Sequence, residues 1–290
     1  MGYRKLYLVN GLGNKFTFTE QESKQFLNSL SGLGFQKDLE TYTIGSILKV
    51  STSVYNFVQI SGELMFYGET ADAYEDYFNF INFVSFEPLQ LYYLTPNTLV
   101  PFYCNVELIQ ADKSEYGKDK VLRVPLIMQP TSRWLLSEET VYELSNTLLG
   151  NGKHYDLQRD YYYPSYSLQN VPINNTGNNA VGFVIEIIGD VSNPQWTLSQ
   201  NNSVYGSCKL TGDYDYIKVN SKDGEQDIYL EKDESAIANP TIYQDLSITG
   251  GVLTFPKIKP GESIFTFISG NIDTFTGKVK VRFSNSYVSV

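Results

Sequence analysis

The sequence predicts a mainly β protein with two domains, the first of which contains one α-helix. Aromatic residues make up 14% of the 290 residues, with 23 Tyr and 17 Phe, and such side chains favour half-buried sheet surfaces. Short apolar runs bounded by Gly, Asn, Asp, Pro and Ser recur along the chain, which is typical of strands. Hydrophobic residues make up 42% and charged residues 19%, a balance typical of a chain that buries a core.

The first half of the chain is predicted to consist mostly of strands. Its apolar runs are KLYLVN, KFTFT, TYTIGSILKVS, YNFVQISGELMFY, LQLYYL, FYCNVELIQA and KVLRVPLIM. Residues 71–85 differ, because their apolar side chains recur three or four positions apart, which indicates an amphipathic helix. Thr70 is the expected N-cap, Asp72 suits the first turn, and Pro88 follows the predicted end.

A change of composition after Trp134 predicts the domain boundary, since the chain becomes polar there and contains a Gly-Asn-Gly turn. We predict a first domain over residues 1–134, a linker over 135–160 and a second domain over 161–290. Further strand-like runs follow, among them YYYPSYSLQNVPI, AVGFVIEIIGDV, QWTLS, YIKVN, DIYLE, SIFTFISG and KVKVRFS. Consecutive strands without intervening helices favour an antiparallel β-sandwich. Whether a strand such as KVKVRFS returns to the first domain stays open.

The sequence predicts a protein made in a cytoplasm and not inserted in a membrane. The apolar stretch at the N-terminus is interrupted by Asn10 and two glycines, unlike the core of a signal peptide. No run approaches the ~20 apolar residues of a membrane helix. Cys104 and Cys208 lie in different predicted domains, so we expect reduced thiols and no disulfide.

The charge balance disfavours a nucleic-acid partner. The formal net charge is -10 at pH 7, and the isoelectric point is near 4.7. Binding to phosphates requires clustered Lys and Arg, and the sequence contains no such cluster.

Sequence motifs for catalysis are weak. The single histidine, His154, lies in the polar stretch after the first domain, although general acid–base chemistry most often uses histidine. The glycine pairs in NGLGNK and SGLGFQ lack the further residues of dinucleotide-binding and phosphate-binding loops, so we interpret them as turns. One His and two isolated Cys are too few for a typical zinc site. We therefore predict no catalytic, cofactor-binding or metal-binding residues and no enzymatic activity.

Paired carboxylates keep a glycosidase as a minor alternative, because such enzymes use two acidic side chains across a cleft. The candidate pairs are Glu138 with Glu139, Asp213 with Asp215, and Asp223 with Asp227. Each pair is more often found on a solvated turn or strand face. Polysaccharide turnover that is lost on carboxylate substitution would be needed to support this alternative.

The order and spacing of several segments resemble the distal tail proteins of siphophages. In the first half these segments are FLNSLSGLGFQKD, YTIGS, ISGELMFY, AYEDYFNFINFV, PLQLYY and CNVELIQADKSEYGKDKVLRVPLIMQPTSRW. In the second half they are DYYYPSY, PINNTGNNAVGFVIEIIGDVSNPQWTL and YIKVN. The resemblance covers most of the chain and is stronger in the first half. It implies a ring-forming N-terminal β domain with one α-helix, followed by a galectin-like β-sandwich.

The resemblance also implies a structural function in the virion. Members of this family form a hexameric ring at the distal end of the phage tail. The expected partners are other copies of the chain, the tail tube protein, a tail-tip or tail-associated protein, and receptor-binding or baseplate proteins. DNA would pass through the ring without specific binding, because negative walls repel phosphates. The expected location is the tail tip of a virion assembled in a bacterial cytoplasm.

Two regions of the first half supply candidate subunit-interface residues. In SGLGF, glycines would let the backbone bend between strands, while the apolar side chains would contact the core or a neighbouring subunit. In ADKSEYGKDK, the charges would keep the tip of a long hairpin from indiscriminate pairing. Together with the predicted helix, these regions give the candidate residues Gly32, Leu33, Gly34, Phe35, Tyr74, Phe78, Lys113 and Glu115.

The alternative function is a carbohydrate-binding module that attaches the particle to cell-wall saccharide. Aromatic rings can stack on sugars, and the candidates for this role are Tyr161, Tyr163 and Trp196. Galectin sugar sites combine an arginine-bearing motif, a histidine and a tryptophan, whereas Trp196 lies in NPQWTL without such partners. We therefore expect Trp196 to pack in the core of its own domain.

Overall fold

In the computed structural model, the protein divides into two compact units. One unit comprises Met1–Glu138 with Ser286–Val290, and the other comprises Glu139–Asn285. The structure describes residues 4–18, 25–145, 170–232, 235–237, 255–271, 275 and 277–290. Among these residues, no helix has the length and apolar character needed to span a membrane.

The described elements up to residue 138 are strands and one helix. In chain order they are β1 (Lys5–Val9), β2 (Lys15–Thr17), β3 (Gln25–Ser31), β4 (Lys37–Ile44), β5 (Ile47–Tyr55), β6 (Ile60–Tyr67), α1 (Thr70–Val84), β7 (Leu89–Leu94), β8 (Phe102–Ala111), β9 (Val121–Pro130) and β10 (Trp134–Leu136). The elements after them are β11 (Thr140–Ser145), β12 (Val171–Asn175), β13 (Val184–Ser192), β14 (Gln195–Gln200), β15 (Ser203–Lys209), β16 (Asp213–Asn220), β17 (Asp227–Lys232), β18 (Ser235–Ile237), β19 (Gly261–Ile268), β20 (Lys278–Phe283) and β21 (Ser286–Tyr287). The predicted mainly β class is confirmed.

The first unit is built on a nine-stranded antiparallel sheet. Seven strands follow the order β2-β1-β7-β8-β9-β6-β3, while β10 pairs with both β8 and β21. Successive side chains of a strand point to opposite faces, so Leu6 and Leu8 of β1 are buried together with Leu89 and Leu91 of β7. This face of the sheet carries the core of the first unit.

Helix α1 contributes Ala73, Phe80 and Val84 to that core. The Phe80 ring lies 4.9 Å from the Phe16 ring and 6.3 Å from the Phe66 ring, centroid to centroid. The helix predicted over 71–85 is confirmed within one residue at each end. The N-cap position is Glu69, one residue before the expected Thr70, and its side chain makes no capping hydrogen bond.

Strands β4 and β5 form a separate two-stranded sheet, which we call the hairpin arm (residues 37–55). Ile44 pairs with Ile47 across a two-residue turn, and Gly45 occupies its first position with a φ of +62°. A glycine with positive φ at this position matches the right-handed twist of a hairpin. In the described part of the chain, neither strand of the arm pairs with a third strand.

The second unit is an antiparallel β-sandwich. Its six-stranded sheet has the order β11-β20-β13-β16-β17-β18, and its four-stranded sheet has the order β12-β19-β14-β15. Inward-facing residues of both sheets, such as Ile185 and Ile187 of β13 and Phe265 and Phe267 of β19, belong to one hydrophobic core. The sandwich predicted from the strand-rich second half is therefore present.

The chain passes between the two units at both ends of the sandwich. Strand β11 lies inside the segment predicted as a linker, yet it pairs along its whole length with β20 in the second unit. Strand β20 contains KVKVRF and stays in the second unit, whereas β21 returns to the first unit, where Tyr287 pairs with Trp134. In sequence, the second unit is thus inserted between β10 and β21, which are neighbouring strands of the first sheet.

Candidate subunit interface

The SGLGF segment connects β3 to β4, as expected for a bend between strands. Gly32 has a φ of +91°, and a Cβ atom built there would lie 2.0 Å from the carbonyl oxygen of Gln59. Only glycine avoids both the strained conformation and this overlap. Gly34 has no positive φ, and a Cβ atom built there would meet nothing within 4 Å. The two glycines therefore have different roles, although the sequence suggested the same role for both.

The apolar residues of this segment face different surroundings. Leu33 is partly buried and packs against the core of the first unit. Phe35 is 61% exposed, and its ring contacts the Tyr55 ring edge-on at a centroid distance of 5.5 Å. The Lys37 ammonium lies 5.1 Å from the centre of the same Tyr55 ring. Phe35 and Tyr55 thus form an exposed aromatic pair at the base of the hairpin arm.

The hairpin arm exposes an unusually large number of apolar side chains to solvent. Seven of them are between 48% and 66% exposed: Leu39, Tyr42, Ile44, Ile47, Leu48, Val50 and Val54. Cross-strand pairing places Ile44 with Ile47 on one face and Thr43 with Leu48 on the other, so both faces carry apolar groups. Contiguous exposed apolar surface of this kind marks an interaction site.

This surface was not among the residues predicted from the sequence. The run TYTIGSILKVS predicts strands, and none of its apolar residues is among the interface candidates. The signal that could have identified it is the occurrence of apolar residues at both odd and even positions around Gly45-Ser46. A strand with one solvated face alternates instead.

A second surface lies on α1, and we call it the helix–loop patch (Tyr74, Tyr77, Phe78 and Lys113). The Lys113 ammonium lies 5.4 Å from the Tyr74 ring centre, 5.6 Å from that of Tyr77 and 5.4 Å from that of Phe78. These distances are within the range of cation–π attraction. Three of the predicted interface residues, Tyr74, Phe78 and Lys113, are therefore brought together, and Tyr77 was not predicted.

The segment between β8 and β9, residues 112–120, folds back against the start of α1. The Tyr116 hydroxyl donates a hydrogen bond of 2.6 Å to the carbonyl of Gly68. The Lys120 ammonium lies 2.5 Å from a Glu69 carboxylate oxygen, and this pairing raises the pKa of Lys120. The segment is the tip of the long β8–β9 hairpin, as predicted, and these contacts hold it against the start of α1. Glu115, the remaining candidate, is exposed.

Phe78 is 55% exposed, so much of its ring is in contact with solvent. The spacing of apolar residues places Phe78 on the apolar side of the helix, and it is one of the predicted interface residues. Its neighbour Phe80 is fully buried instead. Phe78 is therefore available to a partner.

The candidates for sugar stacking find no support in the described part of the second unit. Trp196 is 1% exposed and lies in the sandwich core, so its ring has no face free for a sugar. A stacking role for Trp196 is therefore wrong, whereas the expected core role is confirmed. Tyr161, Tyr163 and His154 lie outside the described residues.

Both cysteines are free thiols with environments that suppress their reactivity. Burial raises the pKa of Cys104 well above its usual value, and burial raises the pKa of Cys208 to about 12. A thiol must lose its proton to act as a nucleophile or a metal ligand. In the ranges that the structure describes, no three His, Cys, Asp or Glu side chains are grouped to hold a metal ion.

Comparisons with known proteins agree with the fold. Residues 5–131 match the family described as distal tail protein, N-terminal domain. The chain is similar to one in the phage P2 baseplate in its activated conformation with Ca, with 16% sequence identity, a TM-score of 0.60 and 100% of each chain covered. The same baseplate with Sr gives the same identity, score and coverage.

A further solved structure is that of the SPP1 Dit (gp 19.1) protein, described as a paradigm of hub adsorption apparatus in Gram-positive infecting phages. It is 9% identical, has a TM-score of 0.63, and is matched over 96% of this chain and 98% of that chain. At these identities the likeness establishes a shared fold. No curated protein sequence matches the chain.

Proposed function

We propose, because residues 5–131 match the family described as distal tail protein, N-terminal domain, that the chain is a structural subunit that closes into a hexameric ring at a phage tail tip. The ring joins the tail tube to tail-tip or baseplate proteins and to receptor-binding proteins. DNA passes through it without specific binding. The observation that carries the ring-forming part of the proposal is the hairpin arm.

The hairpin arm needs a further surface to be stable. A two-stranded hairpin by itself is marginally stable in water. Both of its outer edges leave backbone N–H and C=O groups without strand partners among the described residues, and such edges pair readily with other chains. Its apolar residues also stay exposed on both faces. Contact with a second copy of the chain would cover edges and faces together.

The energy of one such contact can be bounded from the exposed side chains. Burying a Val, Leu or Ile side chain completely contributes about 1.5–3 kcal/mol. The seven side chains of the arm are about half exposed, so covering the remainder contributes roughly 5–10 kcal/mol in total. Association itself costs an estimated 4–15 kcal/mol. One contact is therefore marginal, and closure of a ring, which gives every subunit two contacts, favours the assembled state.

A closed ring requires two different surfaces on each subunit, one that gives a contact and one that receives it. We assign the receiving surface to the helix–loop patch, where Phe78 is exposed and the Lys113 ammonium already lies among aromatic rings. The same patch contains Tyr74 and Tyr77, which are partly buried against the core. The patch therefore offers aromatic surface on a well-packed support.

The ring is tested with the full chain by native mass spectrometry and electron microscopy. We expect hexamers for the wild type, alone or with tail proteins present. The variant Leu48→Asp should remain monomeric, because it places a charge on the arm at a side chain that is 66% exposed. The matched control is Val204→Asp, because Val204 is 63% exposed on β15 of the second unit, and this variant should form rings.

Two results would contradict the proposal. One is a wild-type chain that stays monomeric at high concentration, also with tail proteins, and is absent from purified virions. The other is normal ring formation by Leu48→Asp, which would remove the arm from the interface.

A further inference from the structure

The hairpin arm is connected to the first unit by two short legs, residues 32–36 before β4 and residues 56–59 after β5. The backbone N–H of Asn56 donates a hydrogen bond of 3.2 Å to the carbonyl of Gln36 and so joins the legs. Neither leg is part of a described strand. An arm on such legs can change direction unless other contacts hold its base.

Arg133 contacts three consecutive residues at the base of the arm. Its Nη2 donates a hydrogen bond of 2.8 Å to the carbonyl of Tyr55, and its Nη1 donates one of 3.5 Å to the carbonyl of Asn56. The guanidinium carbon lies 4.3 Å from the centre of the Phe57 ring, within the range of cation–π attraction. Arg133 itself lies in the turn between β9 and β10 of the large sheet.

A second side chain of the large sheet supports the same leg. The Nε2 of Gln129, on β9, donates a hydrogen bond of 3.0 Å to the carbonyl of Phe57. The carbonyls of Tyr55, Asn56 and Phe57 are thus all bonded to side chains that belong to β9 or the turn after it. The leg is held at several points by a rigid element.

The arginine at position 133 is suited to this role by its geometry. Its planar fork presents donors in fixed directions and stacks on an aromatic ring, which a lysine ammonium cannot do at the same time. No carboxylate of the described residues lies within the 4.0 Å of the Arg133 guanidinium that an ion pair requires. The contacts with the base of the arm are therefore the main interactions of the Arg133 side chain.

The fold of the first unit does not depend on Arg133. The turn that carries it is held by other bonds: the N–H of Thr131 donates to the carbonyl of Asn105 at 2.9 Å, and the N–H of Asn105 donates to Ser132 Oγ at 2.8 Å. Arg133 is also absent from the described hydrophobic core. Its loss should release the arm while the sheet remains folded.

We propose that Arg133 is a positioning residue that fixes the direction in which the hairpin arm leaves the first unit. The inference rests on the proposed function, in which the arm reaches a neighbouring subunit. An arm that points in one direction before contact loses less conformational entropy on assembly, so Arg133 favours ring formation without touching the partner.

The direction of the arm is measured by pulsed electron paramagnetic resonance on the full chain. Spin labels are placed at Ser46→Cys, in the turn of the arm, and at Glu107→Cys, on the exposed side of β8. The background is Cys208→Ala, because the other native thiol, Cys104, is completely buried. Labelled chain is diluted with unlabelled chain, so that only distances within one subunit contribute.

We expect a narrow distance distribution for the wild type and one that is about twofold broader for Arg133→Ala, because a released arm moves like a loop. Arg133→Lys should broaden it similarly, since an ammonium cannot replace the fork. The matched control is Arg123→Ala on β9, which loses its ion pairs with Asp119 and Glu63 but touches no part of the arm. That control should give the wild-type width, and all variants should keep the wild-type melting temperature within a few degrees.

An unchanged distribution in Arg133→Ala would overturn the inference, as would an equal broadening in Arg123→Ala. Ring formation is measured separately on the same variants. Arg133→Ala could broaden the distribution and yet form rings at the same protein concentration as the wild type. In that case the arm direction does not govern assembly, and that part of the inference fails. If the wild type forms no rings, the proposed function fails, while the distance distributions still decide whether Arg133 holds the arm.

Discussion

Replacing Gly32 with alanine tests the most constrained position in the SGLGF segment. The new Cβ atom would lie 2.0 Å from the carbonyl oxygen of Gln59 and 2.8 Å from its carbonyl carbon. Both atoms belong to the backbone, so a rotation of a side chain cannot relieve the overlap. Alanine would also have to adopt the strained φ of +91°. A change of φ would instead disturb the adjacent pairing of β3 with β6.

The expected loss of stability follows from these two effects. A residue other than glycine with a left-handed backbone costs about 1–2 kcal/mol. Extra volume in a well-packed site costs typically about 1–3 kcal/mol. The sum is a loss of roughly 2–5 kcal/mol in the free energy of unfolding of the first unit, and a loss of 1 kcal/mol in a domain of this size lowers the melting temperature by about 3 °C. We therefore expect a decrease of roughly 6–15 °C by calorimetry on the full chain.

Gly34→Ala is the matched control two residues along the chain. No atom lies within 4 Å of its built Cβ position, and its φ is not positive. Its effect should stay within about 0.5 kcal/mol, as for other exposed substitutions. Equal effects of the two substitutions, or a Gly32→Ala variant as stable as the wild type, would refute this reasoning.

Three further substitutions test separate parts of the structure. Phe80→Ala removes a fully buried ring and should lower the free energy of unfolding by about 3–5 kcal/mol, whereas Phe78→Ala, at a side chain that is 55% exposed, should cost under half as much in denaturant titrations. Lys113→Ala should weaken the attachment of residues 112–120 by about 0.5–1 kcal/mol and speed their proteolysis, while Lys118→Ala should not. Trp196→Ala should destabilise the second unit by about 3–5 kcal/mol. It should leave any binding of cell-wall polysaccharide by folded protein unchanged in pull-down assays, and a selective loss of binding would contradict the core role.

The elements that the sequence predicted well are those determined by nearby residues. The helix at 70–84 follows from a local period in the apolar residues, and its end before Pro88 follows from local chemistry. Its orientation was harder to predict, because aromatic and aliphatic side chains cover more than one face of the helix. Phe78 and Phe80 differ by two positions, yet only Phe80 is buried, and the sheet beneath the helix determines this difference.

The parts of the candidate interface that were not predicted depend on residues far apart in sequence. The contact of Arg133 with Tyr55 joins positions that are 78 residues apart. Lys113 reaches the aromatic residues of α1 because residues 112–120 fold back, which the charge pattern of that segment does not indicate. The hairpin arm has ordinary strand composition. Its apolar residues are exposed because no other described sheet covers them.

Because β21 returns to the first sheet, the second unit is an inserted domain. Its two connections to the first unit run from the adjacent strands β10 and β21. Trp134 and Tyr287 pair across this junction, so a different domain with neighbouring termini could replace residues 139–285 without changing the sheet that holds them. The same connectivity means that one proteolytic cut between β10 and β11 cannot release the sandwich. The chain continues from the sandwich into β21, which would remain hydrogen-bonded to β10 in the sheet of the first unit. A fragment that ends at residue 134 would in turn lose that strand and leave an edge open.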